Sequence, residues 1–214
     1  LQLGCKIVQV NTDGVMYIAQ KHLRDRVQEA VKEVEQITKL GFESGDYEAF
    51  YQYAGNDYFG VEAGYSQSGD PKLIEKKGSF ITETQLGKSL TPVIIPKAVI
   101  NYFLTGQSAE DYICSHTDIK DFLMGQKVNK KFKVKHGPKL VQRINRYYAS
   151  TNDYYLMKID DEGKETNLLT KSGVTILNKF DDKPISERHI NYRYYISEAN
   201  KIIHDFVCQQ LELF

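Results

Sequence analysis

The sequence predicts an α+β fold, and three observations carry that expectation. Two short runs of β-forming residues meet at an Asp-Gly pair near the start. Apolar residues at helical spacing follow, and further strand-like runs come next. From Pro96 the pattern turns to short helices, and a long amphipathic segment closes the chain. With 214 residues the chain can bury a substantial core in one or two domains.

The first element is Ile7-Val8-Gln9-Val10-Asn11-Thr12-Asp13-Gly14-Val15-Met16-Tyr17, read as a hairpin because Gly accepts the positive φ of primed turns. The turn would hold the Asp13 carboxylate rigidly enough to bind a metal, although an Asp-Gly hairpin needs no chemistry to exist. Leu23, Val27, Ala30, Val31, Val34, Ile37 and Leu40 predict a helix with one face packed on a sheet, and Gly41 stands where a left-handed cap would end it. Tyr47 to Tyr53, Asp57 to Tyr65 and Lys72 to Lys76 read as strands, the last two joined by the turn-rich Ser66-Gln67-Ser68-Gly69-Asp70-Pro71. Short helices are expected over Pro96 to Thr105, Ala109 to His116 with Ser108 as N-cap, and Asp118 to Met124. Gln142 to Tyr148 and Tyr154 to Ile159 read as a pair of strands. Asn191 to Leu213 reads as a helix with Tyr195, Ile196, Ala199, Ile202, Ile203 and Phe206 on its inner face. A second structural unit is expected to begin between Gly78 and Pro96.

Lys plus Arg (28) balance Asp plus Glu (28), so any nucleic-acid contact must come from local clustering. Such a cluster exists. Lys127, Lys130, Lys131, Lys133, Lys135, Lys139, Arg143 and Arg146 fall in one stretch without a single acid. Several cations on one surface suit a phosphate backbone, and the stretch has no base-reading signature. A charge run is also what a solvated loop looks like, and Asn129, His136, Gly137 and Pro138 interrupt this one. Adjacent tyrosines such as Tyr147-Tyr148 and Tyr154-Tyr155 point to opposite faces of a strand, which sends one of each pair to the core and leaves the other free to stack.

Cys5, Cys114 and Cys208 are odd in number and far apart, as expected of buried thiols in a reducing compartment. The five histidines show no metal-ligand spacing, and no phosphate-cradling Gly loop, Ser nucleophile elbow or CxxC pair is present. No apolar run reaches 18 residues and the start lacks a signal-peptide pattern, so a soluble, cytoplasmic protein without membrane contact is expected. The chain has no initiator Met and enters directly into a strand, as a segment cut from a longer polypeptide would.

The order of five short motifs carries more than any one of them. They are Asn11-Thr12-Asp13-Gly14 at the hairpin tip, Asn56-Asp57-Tyr58, Glu75-Lys76-Lys77-Gly78, Val93-Ile94-Ile95-Pro96-Lys97-Ala98 leading into a helix, and Arg146-Tyr147-Tyr148-Ala149-Ser150. In this order the chain resembles the C-terminal portion of a phage-type DNA polymerase related to family B, from palm motif C through the thumb. The resemblance implies part of a polymerase palm over residues 1–85 and a mixed helical and β, thumb-like DNA-gripping unit over 86–214. It implies a nucleotidyltransferase of phage or prophage replication in the full-length protein, whose partners are primer-template DNA and deoxynucleoside triphosphates. Two Mg2+ ions would serve the transfer, one at the primer hydroxyl and one at the leaving pyrophosphate.

On that resemblance Asp13 is the catalytic metal ligand and Asn11 a weaker one, its amide oxygen standing where the family has an acid. The other acidic ligand would lie on a palm strand before residue 1, so this portion alone would not polymerise. Tyr58, Lys76, Lys77, Gly78 and Lys97 would join the basic run, Lys127, Lys130, Lys131, Lys133, Lys135, Arg143 and Arg146, against DNA. Asn56 occupies the position of a family lysine. Side-chain alternation lets only one of Lys76 and Lys77 face the duplex, and Lys77, beside Gly78, is favoured. Two other classes fit the same residues: a non-catalytic nucleic-acid-binding module in which Asp13 only forms the turn, and a protein-interaction module built on the Tyr-rich strands.

Overall fold

The computed structural model describes residues 4–10, 14–83, 89–169 and 171–211. It is an α+β fold, with five helices and four small antiparallel sheets among the described residues. No described helix is long and apolar enough to cross a membrane. The chain divides into two compact units, one up to Asp46 and the other from Tyr47 onward.

In the first unit, β1 (Lys6–Val10) and β2 (Val15–Ile18) form an antiparallel pair in which Val10 lies opposite Val15, with a register shift between Ile7 and Gln9. The pairing is the one that the β-forming runs around Asp-Gly lead one to expect. Asp13 and Asn11 themselves lie outside the described residues. A 3-10 turn, Lys21–Leu23, then leads into α1 (Arg24–Thr38).

The helix departs from the sequence expectation in two ways. It ends before Gly41: Lys39 takes the left-handed conformation (φ 61°) and donates its N–H to the Glu35 carbonyl. The end is held further by Glu35 Oε1, which accepts from the Phe42 N–H at 2.7 Å. Nor does the whole apolar stripe find a sheet. Val27 is buried, whereas Val34, Ile37 and Leu40 are exposed.

The second unit begins with a three-stranded sheet, β3 (Tyr47–Ala54), β4 (Asp57–Glu62) and β5 (Ile74–Lys77), in that spatial order. Between β4 and β5 the one-turn α2 (Tyr65–Ser68) takes Tyr65 out of the strand assigned to it from sequence. Glu48 holds this turn by accepting from the Gly64 and Ser66 N–H groups at 2.7 and 3.0 Å. Two helices follow, α3 (Ile94–Thr105) and α4 (Ala109–Ser115), and then a 3-10 turn, Ile119–Phe122. Pro96 is tolerated because it falls in the first turn of α3, where its missing N–H costs little. Ser108 caps α4 as expected, its hydroxyl oxygen accepting from the Asp111 N–H at 3.0 Å.

The rest is two further sheets and a closing helix. Strands β6 (Met124–Lys127), β9 (Ile144–Ser150) and β12 (Gly173–Ile176) form one sheet in the order β12-β9-β6. Strands β7 (Lys133–His136), β8 (Lys139–Val141), β10 (Leu156–Ile159) and β11 (Glu165–Asn167) form the other, in the order β11-β10-β7-β8. The two strands expected around Gln142–Tyr148 and Tyr154–Ile159 fall in different sheets. Strand β9 pairs with β6 and β12, while β10 pairs with β7 and β11. Finally, α5 (Tyr192–Leu211) buries Tyr195, Ala199, Ile203 and Phe206, as its spacing predicts.

The core explains why the residues from Tyr47 onward form one compact unit. One face of the β3-β4-β5 sheet supplies Tyr51, Tyr53 and Phe59, which meet Phe103 of α3 and Phe206 of α5. Phe80 joins the same cluster with its ring 5.8 Å from that of Phe206. Such aromatic contacts bind sheet and helices into one core. At the far end Tyr195, fully buried, donates its hydroxyl to the Phe122 carbonyl at 2.9 Å and accepts from the Ala149 N–H at 2.7 Å.

Candidate nucleic-acid interface

The face of the β3-β4-β5 sheet opposite the core is the first part of the candidate interface. Cross-strand pairs share a face, so the pairing of Tyr58 with Lys77 and of Gly60 with Glu75 puts all four on one side. Phe59 opposite Lys76 lies on the other, core-facing side. The alternation thus puts the two lysines on opposite faces of the sheet. Lys76 turns inward, donating to Thr82 Oγ1 at 2.8 Å with Glu83 at 3.7 Å. Lys77 is exposed, and its ammonium lies 5.7 Å from the centre of the Tyr58 ring.

A carboxylate organises this face. Glu75 accepts from the Tyr58 hydroxyl at 2.8 Å and, through its other oxygen, from the Tyr47 hydroxyl. Partial burial, and then the Glu75 carboxylate, push the Tyr58 phenol up to about 12, and the same causes push Tyr47 higher. Both rings are therefore neutral hydrogen-bond donors at physiological pH. Phe50 packs between them, 5.5 Å from Tyr47 and 4.8 Å from Tyr58. Gly60 makes room: a Cβ there would come within 2.6 Å of the Tyr47 ring. Tyr47, Phe50 and Glu75 were not among the residues assigned to DNA from sequence. Period-two alternation from Tyr58 and Lys77 would have reached Glu75, but the bulged register of β3 hides Tyr47.

Gly78, exposed, serves the turn. It has φ +63°, and a Cβ would fall 2.0 Å from Asp57 Oδ1 and 2.3 Å from the Asn56 carbonyl. Asp57 also accepts from the Ser79 N–H at 2.8 Å, which locks the Asn56-Asp57 hairpin against the end of β5. Lys97 is likewise engaged. Its ammonium donates to Asp121 Oδ2 at 2.6 Å, and His116 Nε2 lies 2.6 Å from the same oxygen. Asp121 is almost fully buried, so its charge requires such partners.

The basic run is folded rather than a loose loop, spanning the end of β6, all of β7 and β8, and the start of β9. Lys127, Lys130, Lys131, Lys133, Lys139 and Arg143 are exposed, while Lys135 and Arg146 are half-buried. Lys135 bonds Glu165 across the sheet at 2.8 Å. Lys131 and Lys158 lie 5.0 and 5.1 Å from the ring centre of Phe132. Lys120 and Arg146 flank Phe180 in the same manner, at 5.6 and 5.9 Å. Cations gathered around aromatic rings suit a ligand that alternates charge and flat rings.

The metal ligands expected from sequence, Asp13 and Asn11, lie outside the described residues. Among the described residues no three His, Cys, Asp or Glu side chains converge to hold an ion. No protein-family model, no curated protein and no solved structure matches the chain.

Proposed function

We propose that the chain is the palm and thumb portion of a template-directed DNA polymerase and that its described residues serve to grip primer-template DNA. The observation that carries this reading is the shared face of Tyr58 and Lys77, an exposed cation over a neutral, carboxylate-held phenol on the side of the sheet away from the aromatic core. An ammonium there can meet a phosphate while the phenol packs on the adjacent sugar, contacts that position a duplex without reading its bases. The exposed lysines on and around β7 would extend the same grip. By resemblance, Asp13 with Asn11 would complete a two-Mg2+ site together with an acidic ligand from another palm strand, and Mg2+ there would activate the primer hydroxyl.

Fluorescence anisotropy of the full chain with a labelled primer-template duplex, repeated over a salt series, tests the grip. Each phosphate contact contributes about 0.9 to the slope of log K against log salt. Neutralising Lys130, Lys131 and Lys133 together is expected to reduce the slope by about 3 at most, and Lys77→Ala by about 1. No binding at low salt overturns the reading. Water-proton relaxation with Mn2+ and the duplex then separates polymerase from a non-catalytic binding module. Ion binding abolished by Asp13→Asn supports the former, and binding unaffected by it leaves Asp13 a turn residue.

A further inference from the structure

Phe180 stands 42% exposed in the segment that follows β12, and the structure around it is built. Before it, Leu177 donates its N–H to the Arg146 carbonyl at 2.7 Å, and the Arg146 N–H donates to Asn178 Oδ1 at 2.8 Å. The Asn178 amide in turn donates to the buried Asn145 at 3.0 Å. After it, the Arg188 side chain is buried and donates to the Lys183 carbonyl at 2.8 Å and to the Asp181 carboxylate. That hydrogen bond holds Asp181 below the usual carboxylate range and leaves its charge matched by Arg188. The segment is thus pinned on both sides of an exposed aromatic ring, which limits the ordering cost of binding anything to it.

Lys120 and Arg146 flank this ring, and neither forms an ion pair among the described residues. Lys120 is fixed by its own turn, where Asp118 accepts its N–H at 2.9 Å and the next residue, Asp121, is anchored to Lys97 and His116. From this arrangement we infer that Lys120, Phe180 and Arg146 form a binding site for single-stranded DNA, with one unpaired base stacked on Phe180 and its flanking phosphates on the two cations. An aromatic face among cations is how a strand is held without sequence preference. In a duplex the bases are already stacked on one another and cannot reach a surface ring, whereas an acidic peptide would use the cations and leave the ring idle.

The inference rests on the nucleic-acid reading of this unit but assigns a strand, and with Lys120 and Phe180 two residues, that the duplex grip does not use. The chain contains no Trp, so Phe180→Trp places at the site a single indole that can be excited apart from the tyrosines. Titration of that variant with a short oligo-dT is expected to quench its emission. In anisotropy with labelled oligo-dT, Phe180→Ala is expected to weaken binding about tenfold without changing the salt slope, since base–aromatic stacking carries no counterion release. Lys120→Ala is expected to lower the slope by about 0.7. Affinity for a blunt duplex without an overhang should not respond to Phe180→Ala, and circular dichroism should show each variant folded. Duplex binding without single-strand binding overturns this site and leaves the duplex grip standing, while failure of both ligands overturns both. Oligo-dT affinity indifferent to Phe180→Ala, or displacement by poly-glutamate as readily as by unlabelled oligo-dT, also overturns it.

Discussion

The two units treat their apolar residues in opposite ways. Up to Asp46, Val10, Val15, Ile18 and Ile37 are all more than half exposed, and Val27 is the one buried residue among those described. From Tyr47 onward, Phe59, Ile94, Val99, Ile113, Phe122 and Tyr195 are wholly buried in a single core. The first unit therefore owes its form to local signals, a pair of β-forming runs and a helix with a left-handed end. The second is held by contacts between residues far apart in sequence, such as Tyr53 with Asp205 and Tyr195 with Ala149. Elements without a buried core open at low free energy, whereas those that share one open together.

That contrast can be broken by mutation, and the largest effect is expected in the aromatic core. Phe59→Ala should cost about 4 kcal/mol, read as a shifted urea midpoint of the transition for residues 47–211. Next in size, Lys97→Met leaves the Asp121 carboxylate buried with one cation fewer and should cost about 3 kcal/mol. The double variant with Asp121→Asn should recover part of that loss; no recovery would mean that the pair matters little.

Alkaline unfolding sharpens the contrast through Tyr147. Burial, with a smaller push from Tyr194, raises its phenol to about 12. An unfolded tyrosine ionises near 10. Below pH 10 both states are protonated and the stabilisation is full; between 10 and 12 the unfolded state loses its proton first and stability falls. The loss should total on the order of 2 kcal/mol from this residue. Tyr147→Phe should flatten the slope over that window. Gly78→Ala, forced into positive φ against Asp57 and the Asn56 carbonyl, should cost about 2 kcal/mol without altering the first unit.

The smallest effect is expected where exposure is greatest. Ile37→Ser should change stability by about 0.5 kcal/mol or less. Hydrogen exchange should show the amides of α1 and of the β1-β2 pair less protected than those of α3 and α5. Equal protection in the two units would show that the first unit shares the stability of the second.

Local rules went far along this chain. Asp-Gly between β-formers led to the β1-β2 pair, Ser108 to the start of α4, and the spacing of Tyr195, Ala199 and Phe206 to the buried stripe of α5. Alternation alone put Lys77 and Lys76 on opposite faces. These succeed because a turn, a cap or a periodic stripe is specified within a few residues of itself.

Partnership across the chain was a different matter. Nothing near Lys97 announces Asp121, and nothing near Tyr47 or Tyr58 announces a carboxylate that takes both hydroxyls. Strands β9 and β10 are neighbours in sequence, yet they lie in separate sheets because strand pairing depends on which edges and faces the rest of the fold leaves available. The same holds for Phe180. Its residue type and position are plain in the sequence, but the two cations beside it come from a turn some 60 residues earlier and from the middle of β9. Hydrophobic patterning prescribes which side of an element is buried; which charges then meet on the exposed side is settled when distant elements pack.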